Sequence, residues 1–281
     1  MSTFNGFEDR NCWNGWLENI SGELSALESS PLPRVADTII EKAHLNRGDR
    51  VLDLGAGIGL LTARAARAVG GVGSVAALDS SLECVEKMQS DSVIMGGGNV
   101  LPVLGRLESL PFDSGAFDAV VCRSALIYAE DLNNAVHELA RVLAAGGRFS
   151  VFEPLAAESE WRGDMGEAGP LFLQMEDALH GSGGLRSVDR RVVRTAFESA
   201  GLEFDSLVVR FEISMEGRDA EEVAREYLND LPGELSASNI LKGSFEEPDI
   251  ARVAEAFGRA AADGRIRGGL TCIYVWGTRA G

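Results

Sequence analysis

The chain has 281 residues, of which 45% are hydrophobic and 25% are charged, so it is long enough to bury the core of one elaborated α/β domain. Its formal net charge of −17 argues against nucleic acid as a partner, since such proteins need clustered Lys and Arg to neutralise phosphates. No apolar run reaches the length of a membrane span and residues 1–20 do not resemble a signal peptide, so we expect no membrane association and a soluble cytoplasmic protein.

The first 32 residues precede the regular pattern of strands and helices and are rich in aromatic side chains. Trp13 and Trp16 are three residues apart, a spacing at which helical aromatics either dock a helix to the core or stack on a flat ligand. We therefore predict that residues 1–32 form a helical cap and that residues 33–281 form the main domain, beginning with a helix over 33–45.

Residues 51–59, VLDLGAGIG, bring an apolar strand to a glycine-spaced turn that opens a helix over 59–69. The apolar residues suit a strand that is covered on both faces. The glycines lack the Cβ that would keep a ligand away from the backbone. A strand, a glycine-rich turn and a helix in this order form the first half of a dinucleotide-type βαβ unit.

The glycine spacing argues against a nicotinamide cofactor. The fingerprint for such cofactors is G-x-G-x-x-G. Counted from Gly55 the third glycine is replaced by Leu60, and counted from Gly57 it is replaced by Thr62.

The second strand, predicted over 74–79, ends in a carboxylate. Asp79 lies 79 − 59 = 20 residues beyond Gly59, where an acidic side chain can accept hydrogen bonds from both hydroxyls of a ribose. The alternative is that Asp79 only caps the following helix, predicted over 81–95.

The later elements alternate in the same way, with two long interruptions. Strands are predicted over 99–104, 117–122, 148–152, 208–213 and 270–276, and helices over 131–144, 187–200, 219–229 and 248–262. Pro102 cannot donate a ladder hydrogen bond, which predicts that the third strand is a sheet edge. Inserts at about 154–184 and 216–267 are predicted to form a helical lid over a substrate.

Four motifs in order resemble class I S-adenosylmethionine (SAM) dependent methyltransferases, in particular the small-molecule, quinone-biosynthesis (methyltransferase-11-like) type. They are D-x-G-x-G-x-G over 53–59, Asp79, GRLESLPF over 105–112 with the strand that follows, and the helix, Gly-Gly turn and strand over 139–152. The resemblance implies a Rossmann-like α/β fold. It implies a seven-stranded, mostly parallel sheet in the order 3-2-1-4-5-7-6, with the last strand antiparallel and helices on both faces.

The resemblance also implies a site for SAM, with S-adenosylhomocysteine (SAH) as the product. The residues that it assigns to the cofactor are Asp53, Gly55, Ala56, Gly57, Gly59, Asp79, Ser80, Arg106, Leu107, Glu108, Arg123 and Ser124. The glycine turn would surround the methionine part, with Asp53 orienting it. Asp79 would bind the ribose, Ser80 and Leu107 would lie at the adenine, and Arg123 with Ser124 would border the methyl group.

Arg106 departs from the family pattern. Relatives usually place at this position an Asp that accepts from the adenine amino group, whereas arginine has no acceptor. Either Glu108 takes over this contact, or backbone and packing alone hold the adenine.

Alignment of donor and acceptor supplies most of the catalysis in a methyl transfer, so a general base is not required. Three residues are nevertheless candidates: Tyr128 after the fourth strand, Glu153 at the end of the fifth, and His180 in the first insert. Their alternative roles are core packing, capping of a loop and exposure on a surface loop, respectively.

These motifs predict an enzyme that transfers a methyl group from SAM to a small molecule, apolar or aromatic, in secondary metabolism. The alternative is a SAM-binding protein of the same fold that acts as a non-methylating cyclase, a sensor or a partner subunit. We expect a monomer or homodimer. No metal is expected, because Cys12, Cys84, Cys122 and Cys272 are widely spaced and lack a C-x-x-C pair.

Overall fold

The structure is a computed structural model that describes residues 32–91, 97–229 and 236–281. The predicted amino-terminal cap lies outside the described residues except for Leu32. Within the described residues the chain divides into two compact units. The "sheet unit" contains residues 32–154, 190–208 and 273–281, and the "insert unit" contains residues 155–189 and 209–272.

Eight strands lie within the described residues. They are β1 (Arg50–Leu54), β2 (Ser74–Asp79), β3 (Val100–Leu104), β4 (Phe117–Arg123), β5 (Leu143–Pro154), β6 (Glu160–Gly163), β7 (Leu202–Ile213) and β8 (Ile266–Arg279). The order is β3-β2-β1-β4-β5-β8, and β7 pairs with β8. The predicted order is therefore confirmed, with β8 as the predicted seventh strand and β7 as the sixth. The short β6, which pairs antiparallel with β8, is an additional strand.

The sheet is parallel from β3 through β5. Four of the five residues of β1 are buried, because helices cover both faces of the sheet centre. Pro102 lies on β3, which pairs only with β2 among the described strands. The Gly105 N–H donates to the Asp79 carbonyl at 3.0 Å, so by alternation the nitrogen of Pro102 faces the open edge. The edge prediction is confirmed.

Five helices of the sheet unit follow the predicted pattern with small shifts at their ends. They are α1 (Leu32–Lys42), α2 (Leu60–Val69), α3 (Leu82–Ser90), α4 (Leu132–Val142) and α6 (Arg190–Ser199). The Ser81 hydroxyl caps α3 by accepting from the Cys84 N–H at 3.3 Å, and the Asp131 carboxylate caps α4 by accepting from the Asn134 N–H at 3.1 Å. Residues 92–95 of the predicted third helix lie outside the described residues.

The insert unit has a hydrophobic core of its own, formed between α5 (Gly169–Gly181), α7 (Ala220–Leu228), α8 (Ala237–Lys242) and α9 (Glu247–Ala262). The rings of Tyr227 and Phe257 stack with centroids 4.4 Å apart, and Trp161 meets Phe257 edge-on at 4.9 Å. The helices α7 and α9 are predicted from the sequence, but β6, α5 and α8 are not. In the part of the chain that the structure describes, no helix combines the length and apolar character needed to cross a bilayer.

Candidate functional site

The predicted site residues of the sheet unit lie where β1, β2, β3, β4 and β5 end. Because these strands are parallel and adjacent, their carboxyl ends meet at one edge of the sheet. In open α/β sheets this edge is where ligands bind. His180 lies in the last turn of α5, in the insert unit, so its participation stays a prediction.

The glycine turn after β1 uses conformations that favour glycine. Gly55, Gly57 and Gly59 have φ angles of 66°, 55° and 95°. The N–H groups of Gly55 and Ala56 both donate to the Leu78 carbonyl, at 2.9 and 3.0 Å, which fastens the turn to β2. The strand-turn-helix prediction is therefore confirmed, with Gly59 at the start of α2.

Two of these glycines leave room for different neighbours. A Cβ on Gly55 would lie 2.2 Å from the Cβ of Ala125, so the missing side chain lets the turn after β4 approach the glycine turn. A Cβ on Gly57 would have no heavy atom of the described residues within 4 Å. The backbone of Gly57 therefore borders open space, as a ligand-binding turn requires.

The Asp79 carboxylate joins the end of β2 to the glycine turn. It accepts from the Gly57 N–H at 2.8 Å and from the Ser81 N–H at 2.9 Å. Burial raises the pKa of Asp79, while these backbone hydrogen bonds oppose the rise. The cap of α3 is Ser81 rather than Asp79, so the capping alternative is not what the structure shows. Ser80, between them, is exposed.

Asp53 lies inside the protein, under the glycine turn. It is 1% exposed, and one carboxyl oxygen accepts from the Thr62 hydroxyl of α2 at 2.6 Å. The other oxygen, Oδ1, is buried and has no hydrogen-bond partner among the described residues. Burial raises the pKa of Asp53 to about 7, and the Thr62 bond partly offsets this rise. Sequence reasoning missed Thr62, although a buried hydroxyl in the apolar stripe of α2 was a signal for it.

We expect Asp53 to make stability depend on pH. Its pKa in the folded protein, about 7, lies above the ordinary 3.8, so the folded state holds the proton more tightly. Stability is therefore favoured at low pH and lost as pH rises towards 7 and above. The difference in unfolding free energy, Asp53→Asn minus wild type, should increase by roughly 2 kcal/mol when the pH is raised from 5 to 8, because asparagine does not ionise. Urea unfolding at both pH values measures this gain, and the exposed Asp113→Asn is the control. A pH-independent difference would contradict the expectation.

The end of β4 and the turn after it bring together three more predicted residues. Arg123 ends β4, and Ser124 follows with a φ of 51°, unusual for a residue with a side chain. Tyr128 ends a short 3₁₀ turn over 126–128 and is half-buried. Burial lowers the pKa of Arg123, whereas the charges of Asp53 and Glu153 raise it.

Glu153 reaches this turn from β5. It is 1% exposed, and its Oε1 accepts from the N–H groups of Ala125 and Leu126 at 3.1 and 3.0 Å. Its Oε2 is buried without a hydrogen-bond partner among the described residues. Burial raises the pKa of Glu153 to about 7.

The predicted adenine-side loop is tied to the chain after the 3₁₀ turn. Arg106 pairs with Glu130 at 2.8 Å and with Glu108 at 3.6 Å. Glu108 also accepts from the Glu130 N–H at 2.7 Å. Both carboxylates near Arg106 are thus engaged within the protein, and sequence reasoning missed the contribution of Glu130. Leu107 is half-buried beside them.

The part of the chain that contains these residues is similar to known proteins. A family model described as "Methyltransferase domain" matches residues 51–147. The ubiquinone/menaquinone biosynthesis C-methyltransferase UbiE of Erwinia tasmaniensis is 39% identical over 118 residues, which cover 41% of this chain and 46% of that protein. The uncharacterized methyltransferase YcgJ of Bacillus subtilis is 38% identical over 120 residues, covering 43% and 46%. The chain thus spans about half the length of these curated relatives.

Solved structures extend the likeness of fold over most of the chain. YcgJ aligns with a TM-score of 0.57 at 23% identity, covering 88% of this chain and 98% of that one. The [4+2]-cyclase SpnF aligns with a TM-score of 0.53 at 23% identity, covering 89% and 81%. At these identities the structures show the fold alone.

The residues present fit an adenosyl cofactor. The open space beside Gly57 adjoins the Asp79 carboxylate, an acceptor suited to sugar hydroxyls. The unpartnered oxygen of Asp53 lies beneath the glycine turn, where a bound cation such as a sulfonium or an ammonium would favour the ionised form of this carboxyl group. The matched region, the strand order and this glycine turn agree: residues 51–147 match a methyltransferase domain, and the chain has the fold of the class I SAM-dependent methyltransferases.

Proposed function

We propose that this chain transfers the methyl group of SAM to a small-molecule acceptor, apolar or aromatic, by in-line displacement. The observation that carries the proposal is the open space at Gly57 beside the Asp79 carboxylate, at the carboxyl edge of a methyltransferase sheet. When bound, SAM supplies a methyl carbon activated by its positively charged sulfur. The acceptor's electron pair would form the new bond to carbon, the carbon-sulfur pair would stay on sulfur as SAH forms, and the proton that the acceptor loses would pass to water.

The residues of the sheet unit hold the cofactor along the carboxyl ends of β1 and β2. Asp79 accepts hydrogen bonds from the ribose hydroxyls while its bond to the Gly57 N–H keeps it oriented. Asp53 does not contact the cofactor directly, since it is 1% exposed, and acts by fastening α2 through Thr62 and by its charge. Ser80 and the backbone of Leu107 border the adenine.

For the adenine amino group, the engaged carboxylates favour one of the two alternatives. Glu108 accepts from the Glu130 N–H and pairs with Arg106. Its two oxygens are therefore directed at partners within the protein rather than at adenine. We therefore propose that backbone and packing hold the ring, with Arg106 stabilising the loop through Glu130.

At the methyl end of the site, the residues mainly orient the donor and the acceptor rather than transfer a proton. Arg123 and Ser124 border the methyl group, and the half-buried Tyr128 is the side chain best able to hydrogen-bond an acceptor. Glu153 is too buried to take a proton from an acceptor. The assignment of His180 in α5 to the acceptor is retained as a proposal, as is the role of the insert unit as a substrate lid.

The acceptor class is supported by charge and by the relatives. A net charge of −17 disfavours nucleic acid. The relative from Erwinia tasmaniensis is named for C-methylation in quinone biosynthesis, which makes an aromatic ring carbon a suitable acceptor here. We further propose a role in secondary metabolism, a cytoplasmic location and a monomeric or homodimeric state.

A second candidate is a non-methylating cyclase of the same fold. The structural likeness to a protein named as a [4+2]-cyclase favours it. Such a protein would bind SAM without consuming it.

Methyl-labelled SAM separates the two candidates. The protein would be incubated with labelled SAM and a panel of quinols, phenols and source-cell extract, and label in small molecules would be followed together with SAH formation. We expect label transfer that the Asp79→Ala variant loses to a large extent. SAM binding with no SAH formed on any acceptor would favour the cyclase, and no SAM binding would contradict both candidates.

A further inference from the structure

Glu153 connects two strands through a buried carboxyl group. Its Oε1 accepts hydrogen bonds from the N–H groups of Ala125 and Leu126 at 3.1 and 3.0 Å, and the Cys122 thiol approaches the same oxygen at 3.5 Å. One oxygen on β5 therefore holds the start of the turn after β4. Without it, two buried N–H groups would have to find other acceptors.

The same turn contacts the glycine turn on its other side. Ala125 is 8% exposed, and its Cβ lies only 2.2 Å from the place where a Cβ on Gly55 would stand. A displacement of Ala125 would therefore alter the contact with the glycine turn. The carboxyl group of Glu153, the turn and Gly55 form one continuous set of contacts.

The burial of Glu153 determines what it can do. At 1% exposed, its carboxyl group offers an acceptor no direct contact in this structure. Its second oxygen is buried without a hydrogen-bond partner among the described residues, which costs free energy that the two hydrogen bonds to Oε1 help to offset.

We propose that Glu153 is a positioning residue, whose Oε1 holds the Ala125–Leu126 turn against the glycine turn and thereby fixes the methyl end of the cofactor site. This role rests on the proposed function, because the site that Glu153 positions is the proposed SAM site. It replaces the earlier hypothesis that Glu153 is a general base. A glutamine at this position keeps an acceptor oxygen, whereas an alanine removes it.

The test compares Glu153→Gln with Glu153→Ala, and uses Ser150→Ala as the matched control. Ser150 is fully buried on the same strand, and its hydroxyl has no hydrogen-bond partner among the described residues, so its loss leaves the turn intact. SAH affinity is measured by calorimetry, and turnover is measured from pH 5.5 to pH 9. We expect Glu153→Ala to lose about tenfold or more in SAH affinity, and Glu153→Gln to stay within about threefold of wild type in affinity, turnover and pH profile.

Each result decides between the roles. If Glu153→Gln keeps SAH affinity but loses turnover as fully as Glu153→Ala, the proton or charge matters and the proposal is overturned. Wild-type affinity and turnover in Glu153→Ala would also overturn it. Ser150→Ala losses equal to those of Glu153→Ala would assign the effect to general loosening of β5.

Amide hydrogen exchange keeps the proposal testable without cofactor or activity. The Ala125 and Leu126 amides should exchange faster in Glu153→Ala and remain protected in Glu153→Gln. If wild type fails to bind SAH, the proposed function is wrong, and this exchange pattern still decides whether Glu153 holds the turn. If Glu153→Ala does not fold, unprotected amides in Glu153→Gln would overturn the proposal, and protected amides with retained turnover would support it.

Discussion

Gly55→Ala should lower the unfolding free energy by roughly 2 to 5 kcal/mol, because two costs combine. The new Cβ would meet the Ala125 Cβ at 2.2 Å, which forces the turn after β4 to move. The φ of 66° is also a left-handed conformation that alanine adopts at a cost. Urea unfolding of the purified variant measures this loss.

Gly57→Ala is the matched comparison, since the φ of Gly57, 55°, is similar but the new Cβ would have no atom within 4 Å in the part of the chain that the structure describes. Its stability should fall by only about 1 kcal/mol. SAH affinity should nevertheless fall by about tenfold or more, because the methyl group occupies the space that the cofactor uses.

The two glycines thus separate folding from binding. Equal stability losses in both variants would contradict the Gly55–Ala125 contact. Normal SAH affinity in Gly57→Ala would show that the cofactor does not lie against this turn.

Asp79→Ala should reduce SAH affinity by about 1.5 to 3 kcal/mol, or about 10- to 150-fold, the range for hydrogen bonds to a charged group. The carboxylate is already oriented by the N–H groups of Gly57 and Ser81, so little ordering is needed when a ribose binds. Isothermal titration calorimetry near pH 7.5 measures the loss. In the wild type, affinity should also weaken as pH falls through the pKa of Asp79, which burial raises above its ordinary value, because a protonated carboxyl is a weaker acceptor.

Ser81→Ala is the control for Asp79. It removes the cap of α3 at the Cys84 N–H but leaves the Asp79 carboxylate in place. It should cost about 1 kcal/mol of stability and leave SAH affinity unchanged. Unchanged affinity in Asp79→Ala would indicate that the ribose lies elsewhere, and equal losses in the two variants would indicate general loosening of the β2–α3 connection.

The sequence predicted the elements whose pattern is strong and local. The strands around 51–54 and 74–79 and the helices that follow them have unbroken apolar periodicity, and they lie where expected. The helices α5 and α8 and the strand β6 were missed. The segment of α5 begins with Gly and Pro and has no clear polar face, and β6 has only four residues, too short for a period to register. Their structure depends on the core of the insert unit rather than on local preference.

Glycine spacing and the offset of Asp79 were sufficient to predict a glycine turn with a carboxylate beside it, because backbone freedom and strand ends are local properties of the chain. The tertiary structure alone decided what lies beside that turn. Gly55 and Ala125 are 70 positions apart, and Glu153 bonds to N–H groups 28 and 27 residues earlier. No local pattern encodes such contacts, since they arise only when parallel strands bring distant segments to one edge of the sheet. This is also why Glu153 looked like a candidate base in the sequence but has the burial and partners of a structural acceptor in the fold.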